Sequence, residues 1–272
     1  MLNSKMQWKN GMKNVKEEIN NYELRSMVNM NNYINKKDTK VVNFPMSTQK
    51  CHMKDKKYDY KTLAIMTLYS NMTPMKDQHE SRTYEPYRYV YKNKIIKFTD
   101  EIESLSNKKI GTVINNMRKL SQLEGGLVTA TKNHNEEIIY YIRYENERGR
   151  EYVSIPEDML RRLVWIGNGN LIKVYLLIKY LCEDEKRRFN HDEKKITNKY
   201  ICDEIGLSSS SKNNLQGITE ITNTLEECDF IKKRYVKSSE TGIKTNIFYS
   251  LISYDEWVYK KRKRENERYN RV

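Results

Sequence analysis

The sequence predicts a mainly α fold with small β-hairpins, an α+β class, in which one order of elements occurs twice. Apolar residues recur at helical spacing in several segments, and short runs of β-branched and aromatic residues flank polar turns. In addition, three apolar positions of one amphipathic helix recur 105 residues later, with Ile110, Val113 and Leu120 followed by Leu215, Ile218 and Leu225. A shared fold explains this constant offset of the apolar positions better than chance.

Each copy of the repeated order begins with a helix. In the first copy, Asp59 is the expected N-cap of a helix that carries apolar residues at three-residue steps and ends before Pro74, and these residues are Leu63, Met66 and Tyr69. In the second copy a denser stripe follows the turn-prone Gly-Asn-Gly of residues 167–169, and it consists of Leu171, Val174, Tyr175, Ile178 and Leu181. Both stripes predict a buried helix face.

A helix-turn-helix is predicted next in each copy, and its signal is clearest in the second. There Gly206 can adopt the left-handed backbone that stops a helix, Leu207 packs inward, and a serine between Ser208 and Ser211 caps the following helix. In the first copy, Leu105 and Ser106 are expected to take the places of Leu207 and Ser208. The tripeptide Asp-Glu-Ile precedes both turns, and its two occurrences, at residues 100–102 and 203–205, are expected to be equivalent.

A β-hairpin is predicted at the end of each copy. LVTAT and EIIYYIRY flank a polar turn at residues 132–135, and FIKKRYV and KTNIFYSLI flank one at residues 238–242. Helix, helix, helix, hairpin is the order of a winged helix. We therefore expect two tandem winged helix-turn-helix domains, the first at residues 57–149 and the second at residues 150–256. A basic flexible arm at residues 1–56, with a short helix near Val15 to Val28, precedes them. A basic tail at residues 257–272 follows them.

The charge balance points to a polyanionic partner. Lys and Arg number 50 against 36 Asp and Glu, which gives a net charge of +14. Such a surplus attracts nucleic acid or an anionic membrane surface. Because no run of about 18 apolar residues occurs and the first residues lack the apolar stretch of a signal peptide, we expect a cytoplasmic protein without a membrane partner.

The sequence lacks the motifs of the common catalytic and cofactor sites. Four cysteines and four histidines are scattered without zinc spacing, so no metal site is expected. No glycine is followed by lysine, which excludes the phosphate-binding loop of NTPases, and neither HExxH nor G-x-S-x-G occurs. A rolling-circle nuclease would need a tyrosine beside paired histidines. We therefore expect a protein that is not an enzyme and has no cofactor.

The residues expected to contact DNA lie on the outward faces of the two second helices of the helix-turn-helix units and on the hairpins. Asn and Gln can bond adenine edges, and Lys and Arg reach phosphate or guanine. In the first copy they are Lys108, Lys109, Thr112, Asn115, Asn116, Lys119, Lys132 and His134. In the second they are Ser210, Lys212, Asn213, Gln216, Thr219, Asn223, Lys232, Lys233, Arg234, Lys237 and Lys244. Base reading is expected on the second copy, by Asn213 and Gln216.

The second copy resembles a known family. YVSIPEDMLRRL, then LIKVYLLIKYL, then the helix-turn-helix and hairpin are similar, over about residues 151–252, to the winged-helix module of replication initiators of low-GC Gram-positive plasmids and phages. The resemblance implies binding of double-stranded DNA at repeated origin sites and recruitment of host replication proteins. A homodimer or a cooperative array on DNA is expected as well. The first copy departs from the pattern around Ile95 to Thr99.

Two other functions fit the same sequence. Winged helices also occur in transcriptional regulators and partition adaptors, whose dimers prefer an inverted repeat over a direct one. Alternatively, the chain could be a replisome scaffold whose winged helices bind proteins. A salt series separates the scaffold from the DNA binders, because affinity carried by many phosphate contacts falls steeply with salt.

Overall fold

The structure is a computed structural model that describes residues 41–45, 51–72, 87–143, 152–237 and 245–269. These residues belong to one compact unit. The unit is mainly helical with three small antiparallel sheets, which confirms the α+β class. The predicted helix near Val15 to Val28 lies outside the described residues.

The described helices and strands are numbered separately in chain order. The helices are α1 (Cys51–Lys54), α2 (Tyr60–Tyr69), α3 (Lys92–Lys97), α4 (Thr99–Ser106), α5 (Ile110–Ser121), α6 (Glu157–Ile166), α7 (Gly169–Phe189), α8 (Asn198–Glu204), α9 (Lys212–Glu227) and α10 (Tyr254–Tyr269). The strands are β1 (Val41–Pro45), β2 (Asn71–Met72), β3 (Tyr87–Tyr91), β4 (Val128–Lys132), β5 (Ile138–Arg143), β6 (Tyr152–Pro156), β7 (Glu193–Lys195), β8 (Ile231–Lys237) and β9 (Thr245–Leu251).

The two halves of the chain repeat one topology. In the first half α2 is followed by β3, helices α4 and α5, and the hairpin β4–β5; in the second, α7 is followed by β7, helices α8 and α9, and the hairpin β8–β9. In both sheets the last hairpin strand lies in the middle, in the orders β3-β5-β4 and β7-β9-β8, with β2 added outside β3. Both predicted hairpins are therefore confirmed, and each gains a third strand.

Several helix starts follow from local capping by side chains. Asp59 caps α2 as predicted, since its Oδ1 accepts from the backbone N–H groups of Lys61 and Thr62 at 3.1 and 3.3 Å. Asn168 caps α7 in the same way. Ser211 caps α9 through the N–H of Asn214 at 3.4 Å, as expected for one of the serines at residues 208–211. These caps satisfy backbone donors that the first turn leaves unpaired.

Helix α2 lies at the centre of the core, and all of its ten residues are buried. It contacts α5 of its own half and also α6 and α7 of the second half. Strand β1 pairs with β6, so a second contact joins the chain segments before and after the first copy. The sequence predicted only one buried face for α2, because it shows neither of these distant partners.

The turns of the two predicted helix-turn-helix units differ from the predicted alignment. Residues 100–102 lie in the first turn of α4, whereas residues 203–205 lie at the end of α8, so the two Asp-Glu-Ile tripeptides are not equivalent. Leu105 and Ser106 belong to the last turn of α4 and do not form the turn. The left-handed position is Asn107, with φ of 52°, which corresponds to Gly206 with φ of 79°. Asparagine is among the few side chains that tolerate this conformation.

Helix α10 (Tyr254–Tyr269) begins inside the packed region. Trp257 is 5% exposed, and its ring centroid lies 6.2 Å from that of buried Phe230. Further along, Lys260 pairs with Asp229 at 3.3 Å, and Arg264 pairs with the same carboxylate. The segment expected to be a tail from residue 257 therefore starts on a core side chain.

Candidate nucleic-acid interface

Helix α5 presents a polar face that contains no carboxylate between residues 110 and 121. Its inner side is formed by Val113, Met117 and Leu120, all buried. Thr112 and Lys119 are exposed as predicted, and Asn115 is half-buried and accepts from Arg118 Nη2 at 3.1 Å. Lys109, just before the helix, is 86% exposed and lies 3.3 Å from Glu103.

Two of the predicted contact residues of the first copy are bound to Asp59. Lys108 Nζ lies 2.7 Å from Asp59 Oδ2, and Asn116 Nδ2 donates to the same oxygen at 2.8 Å. Burial by itself would raise the pKa of the Asp59 carboxyl, but hydrogen bonds from Lys108 and Thr62 hold that pKa below its usual value. Lys108 and Asn116 therefore fix α5 against the start of α2.

Helix α9 is in phase with α5. Its buried residues Ile218, Thr222 and Leu225 follow Val113, Met117 and Leu120 by 105 residues, so the offset seen in the sequence is also the structural one. The predicted contact residues on its outer side are all exposed: Lys212, Asn213, Gln216, Thr219 and Asn223. The side facing outward was therefore correctly predicted from periodicity.

Several polar groups on α9 already have intramolecular partners. Gln216 Nε2 donates to Glu220 at 2.9 Å, and Thr219 Oγ1 accepts from Asn198 Nδ2 at 2.8 Å. Asn223 accepts from the ammonium of Lys233. Ser210, in the preceding turn, is exposed and shares a hydrogen bond of 2.8 Å with Ser208. Base contacts by Gln216 would compete with a local carboxylate.

The first hairpin carries a small charge cluster at its tip. Lys132 is exposed and pairs with Glu136, and His134 is exposed at the turn. The turn is stabilised by the side chain of Asn133, which accepts from the N–H groups of Asn135 and Glu137 at 2.9 Å each. Lys132 and His134 are thus presented on an ordered turn.

The basic residues at the base of the second hairpin are all paired with acidic residues. Lys232 pairs with Glu256 at 2.9 Å, and Arg234 pairs with Glu193 through two nitrogens. The Lys233 side chain is only 2% exposed and lies 3.1 Å from Glu226. Lys237 is exposed, and Lys244 lies outside the described residues.

The structure adds Gly111 and Arg118 to the α5 face. Both are exposed and share the stripe of Asn115, since positions i, i+4 and i+7 of a helix lie above one another. The signal was present in the sequence as this spacing, but the prediction named only Lys, Thr and Asn residues on this helix and omitted both.

Other kinds of site receive no support from the described part of the chain. It contains no helix that could cross a membrane and no group of three His, Cys, Asp or Glu residues placed to hold a metal ion. Among the described cysteines, Cys182 is buried, and burial raises the pKa of its thiol to about 12. No model of a protein family matches the sequence, and a comparison with curated proteins finds no match either.

Proposed function

We propose that this protein binds double-stranded DNA sequence-specifically through two winged-helix modules, one in each half of the chain. The observation that carries the proposal is the repeated topology, in which the second of two consecutive helices presents its polar side outward next to a small antiparallel sheet. A helix held in this way fits the major groove, and the adjacent hairpin can follow the phosphate backbone.

The charge of the chain supports the same partner. A net charge of +14 favours association with a polyanion, and exposed cations flank the first module at Lys109, Arg118 and Lys119. The hairpin cations contribute less than their number suggests, because Lys232, Lys233 and Arg234 are neutralised within the protein.

Within this class we propose the role of a plasmid or phage replication initiator that binds origin repeats and recruits host replication proteins. The support is the resemblance of residues 151–252 to initiator modules. Two DNA-binding modules in one chain also suit a site made of repeated sequences. A transcriptional regulator remains the alternative of the same class, and the arrangement of the bound sites distinguishes the two.

Duplex binding is tested by titrating a labelled random-sequence duplex with the full chain at several salt concentrations. We expect the logarithm of the association constant to fall linearly with the logarithm of salt concentration, with a slope of roughly −0.9 for each phosphate contact. A chain that binds no duplex, or whose binding ignores salt, would contradict the proposal and favour a protein-binding scaffold.

The initiator role is tested by sequencing the fragments that the protein retains from the replicon that encodes it. Direct repeats beside an AT-rich segment are the expected result. Retention of an inverted repeat overlapping a promoter would instead identify a regulator.

A further inference from the structure

We infer that the two modules contribute unequally to duplex binding: α5 of the first module makes the closer contact with the duplex, and Gly111 is its point of closest approach. This inference rests on the proposed DNA binding and goes beyond it, because the sequence favoured α9 as the helix that reads bases. Its basis is a position-by-position comparison of the outward faces of α5 and α9.

The outward faces of the two helices differ in charge at equivalent positions. At the 105-residue offset, Asn115 corresponds to Glu220 and Gln122 corresponds to Glu227. Glu227 is exposed at the end of α9, and Glu220 is held beside Gln216 on the same outer side. A carboxylate directed at the phosphate backbone repels it, so α9 approaches a duplex at a cost that α5 does not have.

A carboxylate beside the start of α5 is already paired within the protein. Glu103, on α4, accepts from the Ile110 N–H at 2.7 Å and pairs with Lys109 at 3.3 Å. These hydrogen bonds hold the pKa of the Glu103 carboxyl below its usual range, so Glu103 stays ionised and bound to its partners. Arg118 and Lys119 remain exposed further along the helix.

Gly111 lies in the first turn of α5, at the start of its outward stripe, and its own position contributes no side chain to the packing of the protein. A Cβ built on it meets no atom within 4 Å, and its φ is not in the left-handed region. Glycine is a poorer helix former than alanine, so the fold alone favours alanine here. Glycine does allow close approach of a ligand to the backbone, and on this face the ligand is the duplex.

The experiment compares Gly111→Ala with a matched variant, Gly217→Ala. Gly217 is also helical with nothing within 4 Å of a built Cβ, but it lies on α9 beside buried Ile218. Both variants should keep or raise the thermal transition temperature, since alanine favours the helix. We expect Gly111→Ala to weaken duplex binding about ten-fold and Gly217→Ala to leave binding unchanged.

Two double variants that remove charge from α5 or from α9 complete the test. Replacing Arg118 and Lys119 together by glutamine should reduce the salt slope by up to about 1.8, which corresponds to two phosphate contacts. Replacing Glu220 and Glu227 together by glutamine should change affinity by less than about three-fold, the effect of net charge alone.

The results separate the inference from the proposed function. If Gly111→Ala binds like the wild type, or if Gly217→Ala weakens binding instead, the assignment of α5 is overturned while duplex binding stands. A large rise in affinity on removal of Glu220 and Glu227 would likewise assign the duplex to α9. If the wild-type chain shows no salt-dependent duplex binding, both proposals fail.

Discussion

At the scale of single residues, Gly206 is a glycine required for two reasons, its backbone conformation and the close approach of a neighbouring backbone. Its φ of 79° lies in the left-handed region, and a Cβ built on it would meet the backbone oxygen of Lys54 at 2.0 Å. Gly125 has a similar φ of 63°, but nothing lies within 4 Å of its built Cβ. Gly206 therefore serves both the turn before α9 and the close packing of α1 against that turn.

Gly206→Ala should destabilise the protein considerably more than Gly125→Ala. Both substitutions introduce left-handed strain of roughly 1–2 kcal/mol, and Gly206→Ala adds an overpacking cost of about 1–3 kcal/mol because a backbone atom must move. Chemical denaturation of the two variants and the wild type measures the difference. Equal losses would show that α1 is not held against the turn in solution.

At the scale of elements, charged side chains hold the helices and hairpins to one another. The hairpin β8–β9 is tied to α9 by Lys233, to α10 by Lys232 and to β7 by Arg234. Lys173 of α7 is 4% exposed, and its Nζ donates to the carbonyl oxygens of Met53 and Asp55 at 2.6 and 3.4 Å. Lys173 therefore fastens the end of α1 to α7.

The buried lysines predict how stability depends on pH. Burial lowers the pKa of Lys173 from 10.5 to about 8, and the pKa of Lys61 shifts in the same way to about 8. Between about pH 8 and pH 10.5, these lysines are protonated to a greater extent in the unfolded chain than in the folded one. The free energy of unfolding should thus rise with pH from about 8 to 10, by up to about 1.4 kcal/mol per pH unit for each lysine.

Lys173→Met should remove the contribution of Lys173 to the rise of the unfolding free energy between about pH 8 and 10. Urea denaturation at a series of pH values provides the slope, and the comparison of slopes cancels the loss of the two hydrogen bonds to carbonyl oxygens. Lys195→Met, at an exposed position of β7, is the matched control and should keep the wild-type slope. If Lys173→Met and wild type have parallel pH profiles, the ammonium of Lys173 is not desolvated.

At the scale of the whole molecule, the two halves share a core. Helix α2 contacts α6 and α7, and Arg161 of α6 reaches across to Glu101 at 2.5 Å and to the Tyr69 hydroxyl at 3.4 Å. The boundary expected at residues 149 and 150 falls in a segment outside the described residues, and the division into two domains stays a prediction. The contacts between the halves indicate that such domains would not be independent.

Fragments produced separately test whether the two halves fold independently. We expect residues 41–149 and 150–272, produced singly, to lack the cooperative thermal transition of residues 41–272, because separation exposes the apolar surface of α2 on one side and of α6 and α7 on the other. Thermal unfolding followed by circular dichroism measures the transition of each fragment and of residues 41–272. Two fragments that each unfold cooperatively would establish two autonomous domains.

The sequence by itself determined the features that depend on neighbouring residues. The cap Asp59, a serine cap for α9, the recurring apolar positions of α5 and α9 and both hairpins were predicted, because capping, helical periodicity and turn chemistry act over a few positions. Burial of Thr222 on α9 was not predicted. The equivalence of the Asp-Glu-Ile tripeptides was wrong, since three matching letters contain no information on where a helix begins.

Only the tertiary structure decided which polar side chains remain free for a partner. Lys108 is bound to Asp59 and Lys233 to Glu226, whereas Lys119 on the same kind of helix face is exposed. The ion pair of Lys108 joins residues 49 positions apart, and no periodicity relates such positions. Local propensity thus fixes the elements and their faces, while the availability of each charge depends on which distant carboxylate the packing of those elements brings within hydrogen-bonding distance.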